Sequence, residues 1–202
     1  TGAKTQRVYF FFFFIKKNKQ LICAIYTNKP VDDKKGKKTN QKKDDKKGDK
    51  GEGNQDAFVM IDLGDTAYNY FHPAISADEL TLYFSSDRPG GEGDYDLWKA
   101  TRNSVEEPFG NITNLGKQIN TEGKEEFPTL RSDTRMYYSS DGLPGLGGFD
   151  LFYTELKGEE WSEPQNLMYP INSPYDEVGI VYNFVEEETI AAEESGYFSS
   201  NR

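Results

Sequence analysis

Four carboxylates crowd one glycine-rich stretch of this 202-residue chain: Asp87, Glu92, Asp94 and Asp96, in SSDRPGGEGDYD. Hard oxygen ligands on a flexible turn are what Ca2+ requires, so Asp87, Asp94 and Asp96 form a candidate metal set. The competing role is structural, because an Asp in such a turn accepts nearby backbone N–H bonds. A second copy, SSDGLPGLGGFD, keeps Asp141 and Asp150, while Gly142, Leu146 and Gly148 replace much of the charge. The four retained residues, Asp87, Asp96, Asp141 and Asp150, are therefore read as turn carboxylates. Asp87 and Asp141 are expected to take local N–H groups, and Asp96 and Asp150 the turn backbone or neighbouring Ser hydroxyls. No cofactor is expected, with Ca2+ as the alternative.

Catalytic chemistry finds less support. His72 is the only histidine, and Phe127 stands at its place in the second copy, so packing at a strand edge is favoured over a general base. No Ser-His-Asp set, His/Cys cluster or phosphate loop has supporting spacing, and the GGEG at Gly90 precedes no helix-forming run. No catalytic residue is assigned. Cys23 is the single cysteine; it has no partner for an internal disulfide and lies in an apolar run, which suits a buried thiol.

The elements that position these residues repeat. Phe71 to Thr101 contains short alternating segments joined by an Asp-containing turn and a Pro/Gly/Asp loop, the grammar of antiparallel strands. It returns at Phe127 to Leu156, with Asp87 to Asp141 and Asp96 to Asp150 both 54 residues apart, and begins again at Val178. Leu63, Leu115 and Leu167 are spaced by 52, as are Ile119 and Ile171, and Phe109 and Trp161. A fixed period near 50 with several strands in each predicts a β-propeller, because a small sheet must stack on its neighbours to bury both faces. Strands are expected near residues 8–15, 21–27, 57–63, 73–76, 80–86, 95–101, 128–131, 135–140, 149–155, 179–183 and 196–200, with ITNLG and PQNLM supplying outer strands.

LYFSSDRPGGEGDYDLWKA, followed by NLGKQIN and EFPTL, resembles the WD40-like repeat of TolB-type bacterial propellers, over roughly residues 62–202. The form is that of Bacteroidetes envelope proteins that also carry an OmpA-like peptidoglycan-binding domain, among them the propeller component of the type IX secretion and gliding machinery. The resemblance implies a non-catalytic interaction module, periplasmic and outer-membrane-associated, whose partner is another envelope protein. It implies a link to peptidoglycan only through the OmpA-like domain, which this chain lacks.

Charge divides the chain. Residues 1–56 carry 15 Lys and Arg against 7 Asp and Glu, and residues 57–202 carry 9 against 27, a net of −18. So acidic a surface repels phosphates, which argues against a nucleic-acid partner. The apolar runs RVYFFFFFI and LICAIYTN are too short to span a bilayer, and the lysines between them break a joint span. They read as two β-strands of a degenerate N-terminal blade, residues 1–64, interrupted at 30–56 by a Lys/Asp/Gly-rich insertion expected to be disordered. Ile22 before Cys23 makes lipidation there a poor fit. Residues 65–202 are expected to hold two full blades and one partial blade. FVEEETIAAEES, from Phe184 to Ser195, is read as a solvated excursion within the last. The expected whole is an all-β, open propeller of four-stranded antiparallel blades. The second hypothesis is a ligand- or glycan-binding propeller with Ca2+ in its Asp/Gly loops.

Overall fold

The computed structural model describes residues 8–11, 24–27, 61–63, 67–182 and 196–202. All the assigned elements are β-strands and no helix occurs among the described residues. The chain divides into two compact units, one of residues 1–14 and 22–60, the other of residues 15–21 and 61–202. In the first, β1 (Val8–Phe11) pairs antiparallel with β2 (Ala24–Thr27), Val8 opposite Thr27. The insertion at 30–56 and the acidic segment at 184–195 lie outside the described residues, as does Cys23.

The second unit holds two antiparallel meanders and a hairpin. The first sheet runs β3 (Tyr70–Ile75), β4 (Thr81–Ser86), β5 (Asp96–Thr101) and β6 (Gly110–Asn114) in that order. The second runs β7 (Glu125–Ser132), β8 (Arg135–Ser140) and β9 (Asp150–Lys157), and its outer edge is divided between β10 (Glu160–Trp161) and β11 (Gln165–Asn166). The hairpin pairs β12 (Glu177–Tyr182) with β13 (Gly196–Ser200). The outer edge is split at Ser162–Pro164, where the Ser162 hydroxyl takes the Glu155 N–H and Pro164 has no N–H to give.

Two expectations need correction. The first strand of each sheet begins three residues earlier than the alternation suggested, at Tyr70 and Glu125 rather than 73 and 128. The reason is a bulge between Phe71 and Ala74, repeated between Glu126 and Thr129 and between Val178 and Ile180. At its centre His72, Phe127 and Gly179 have φ of 49°, 56° and 60°, so the extended pattern breaks and resumes. The second concerns the strand expected at 57–63. Residues 61–63 lie in no strand, although Ile61 and Leu63 are buried and Asp62 is exposed; 57–60 lie outside the described residues.

Burial follows the two faces of each sheet. Tyr83 and Leu97 of the first sheet pack with Ile119 against Met136, Tyr138 and Phe152 of the second. One repeat later, Tyr137 and Leu151 pack with Ile180, and Ile171 and Tyr182 join them. Both faces of the second sheet are thus apolar because each is covered by a neighbour. Burying one such side chain contributes roughly 1.5–3 kcal/mol, so these cores, rather than strand ladders, hold one sheet to the next. The leading strands meet in sequence, β3 against β7 and β7 against β12.

Candidate functional site

The repeated polar residues converge where one sheet hands over to the next. Asp96 accepts the N–H groups of Glu92 and Gly93, and the Asn114 amide as well. Asp150 accepts those of Leu146 and Gly147. These carboxylates fold the glycine-rich loop back over the start of the third strand. The loop must lie so close that a Cβ on Gly91 would stand 1.8 Å from Asp96 Oδ2, and one on Gly145 1.9 Å from Asp150 Oδ2.

Asp87 and Asp141 bond across the sheet rather than within their own turn. Asp87 accepts the backbone N–H and the side-chain amide of Asn69, and Asp141 the N–H of Lys124. Each donor immediately precedes the first strand, so the carboxylate ties the end of the second strand to that of the first. The local turn-closing role expected for them is therefore replaced by a longer tie of 18 and 17 residues.

Asparagine fixes the crossing between sheets. Asn120 presents Oδ1 to the Leu97 N–H at 2.8 Å and donates its amide to the Leu97 carbonyl at 3.0 Å; Asn172 does the same with Leu151. The adjacent residue begins a different latch. Glu125, buried, accepts the Thr121 N–H and hydroxyl and the Ser140 hydroxyl, and Glu177 accepts the same three from Ser173 and Ser200. Burial pushes the Glu125 carboxyl up, nearby Asp96 adds to the rise, and the hydroxyl and N–H bonds only partly offset them. Burial also raises Glu177, but its three donors and Arg202 outweigh it and the net shift is downward.

These latch residues entered the sequence reading only as register marks or not at all. The signal that exposes them is the Ile-Asn-Thr/Ser triplet at 119 and 171 with a glutamate four residues after the hydroxyl, Thr121 to Glu125 and Ser173 to Glu177.

The leading strands carry a ring stack. His72 lies on Phe127 with centroids 3.7 Å apart, and burial lowers its pKa to about 4, leaving a neutral imidazole at pH 7. Trp98 is buried with Arg88 over its ring, Phe109 is buried with Arg102 over its ring, and Trp161 meets Tyr83 edge to face. A groove of about 480 Å3 lies between the sheets, lined by Lys99, Asn114, Gln118, Glu160 and Trp161 among others.

Two of the three carboxylates suggested for a metal, Asp87 and Asp96, have their oxygens engaged by the chain itself. Asp87 and Asp96 direct their oxygens to N–H donors, and Asp94 contributes its own N–H to the Gly123 carbonyl. Among the described residues no group of three or more His, Cys, Asp or Glu is arranged to hold a metal ion, and no helix is long and apolar enough to cross a membrane. No protein-family model matches the chain, and neither does any curated protein.

Proposed function

We propose that the chain is a non-catalytic, propeller-type repeat module of the TolB-like, WD40-like kind, acting as an interaction scaffold in the bacterial cell envelope. The observation that carries the non-catalytic part is the use of the repeated polar side chains. Asp96, Asn120, Glu125, Asn172 and Glu177 are each held by backbone, hydroxyl or amide partners of the repeat itself, and Asp150 is held there through one oxygen, its Oδ1 being buried without a hydrogen-bond partner. Recurring residues of this kind build a frame and leave recognition to the rim and loops. The succession of β3, β7 and β12 supports the propeller geometry, since stacked sheets meeting along their leading strands turn about an axis. The net of −18 over residues 57–202 favours a basic partner, another envelope protein located in the periplasm at the outer membrane. Peptidoglycan would be reached through an OmpA-like domain of a larger assembly.

The test is cross-linking in cells followed by mass spectrometry. Recovery of a basic envelope protein, weakened when Glu92, Asp94 and Glu122 are changed to Lys, is the expected result. Substrate turnover by the purified protein with no envelope partner captured would overturn the scaffold. The groove beside Trp161 favours one second reading, a glycan ligand stacked on that indole. A glycan-array signal that disappears with Trp161→Ala would select it.

A further inference from the structure

Two stretches of this acidic region carry no charge. Residues 142–149, GLPGLGGF, and residues 164–175, PQNLMYPINSPY, contain no Asp, Glu, Lys or Arg, whereas their counterparts at 88–95 and 112–123 contain Arg88, Glu92, Asp94, Lys117 and Glu122. The two uncharged stretches lie together. Asn166 donates its amide to the Pro144 carbonyl at 3.4 Å, and a Cβ on Gly147 would stand 1.9 Å from the Tyr175 carbonyl oxygen.

In the first repeat an ion pair spans this contact, with Lys117 Nζ 3.7 Å from Glu92 Oε2. The second repeat puts Tyr169 and Leu146 at those places, 78 % and 47 % exposed, and Met168 at the place of Gly116, 58 % exposed. These positions face solvent by their place in the repeat and not for want of a following sheet. The Lys117 side chain is 85 % exposed although the whole second sheet follows it, and a Cβ on Gly116 would meet nothing within 4 Å. Met168 has φ of 59° where Gly116 has 81°, so a bulky apolar side chain is held outward on a backbone that favours glycine. An exposed apolar cluster kept at a strained position points to recognition.

We propose that Leu146, Met168 and Tyr169 are the anchor point for a basic protein partner, which seats an apolar side chain on them from a segment flanked by Lys or Arg. The flanking charge follows from what surrounds the cluster. Asp141, Glu163 and Asp176 bound the uncharged stretches, and Asp176 reaches the loop itself, its Oδ1 2.2 Å from where a Cβ on Gly148 would stand. An apolar centre inside a charged margin is the plan of a protein interface. A second copy of the chain would bring −18 against −18, and a lipid surface offers no counterpart to the acidic margin. The inference rests on the reading of the repeats as a platform for a basic partner, and adds where that partner is held and by which contact.

The experiment reads the apolar contact apart from the charge. Two short synthetic peptides with identical lysines, one carrying leucine and tyrosine where the other carries serine, are titrated with the full chain and followed by fluorescence anisotropy. The apolar peptide should bind about tenfold tighter, the ratio that one buried leucine supplies. L146E/Y169K copies the ion pair of the first repeat without changing net charge, and Met168→Gly copies Gly116. Each should bring the apolar peptide toward the affinity of the serine peptide and leave the serine peptide as it was. Equal binding of the two peptides by the parent chain, or an apolar advantage that survives in both variants, would overturn the anchor and leave the acidic platform standing. Binding of neither peptide would remove both. Sedimentation showing a dimer that L146E/Y169K dissolves would make the occupant a second copy, and flotation with phosphatidylcholine vesicles that the same variant abolishes would make it a membrane; either result overturns the proposal.

Discussion

At the scale of single residues, repetition separates a role from its chemistry. His72 and Phe127 hold one position, both with positive φ, and stack on each other. The imidazole therefore behaves as a ring with a titration attached. Its pKa is lowered to about 4 from 6.5, so the stability it lends is complete above 6.5 and is lost as pH falls toward 4. His72→Phe should flatten that acid limb, by about 2–3 kcal/mol between pH 7 and 4, in urea titrations. Glu125 and Glu177 make the opposite pair, one latch with two signs. Glu125 is raised, so its contribution is full below the ordinary carboxylate range and declines as pH rises through its elevated native value. Glu177 is lowered, and its contribution declines as pH falls. Glu125→Gln turns an amide N–H2 toward the Thr121 and Ser140 donors and should cost about 1–3 kcal/mol. Its penalty should grow from pH 7 to pH 4, and that of Glu177→Gln should shrink; equal trends in the two variants would contradict these assignments.

At the scale of elements, close backbone approach decides where glycine is required. A Cβ on Gly93 would lie 2.4 Å from the Thr121 carbonyl oxygen, and one on Gly147 1.9 Å from that of Tyr175. Both oxygens belong to the connection into the next sheet, so Gly147→Ala should separate the loop from that connection at a cost of roughly 1–3 kcal/mol, measurable as a lowered Tm. Gly110→Ala, with nothing within 4 Å, serves as the control. The same elements show what the chain makes legible. The cores of β4, β5, β8, β9 and β13 are visible because alternation and the SSD register agree over both faces. The starts of β3 and β7 are not, because Tyr70-Phe71 and Glu125-Glu126 lie beyond a bulge that erases the period of two. Asp96 and Asp150 are readable as turn residues since their donors are three and four positions away. Glu125 is harder to read: two of its donors are local, but the third, Ser140, arrives only when β7 and β8 pair.

At the scale of the whole molecule, charge and continuity set the behaviour. The repeats carry −18 over residues 57–202, so association with a basic partner should slow as salt is raised, because exposed charges are screened beyond about 8–10 Å at ordinary ionic strength. A rate independent of salt between 50 and 500 mM, measured by stopped flow, would remove electrostatics from recognition. Asn120 and Thr121 are neighbours in the chain, yet the first bonds Leu97 in the earlier sheet and the second bonds Glu125 in the later one. No slack separates the two latches, so a pull on the ends loads them in series. Under tension the sheets should let go one at a time. Each event should release about 52 residues of contour, roughly 180 Å, as a sawtooth in force spectroscopy.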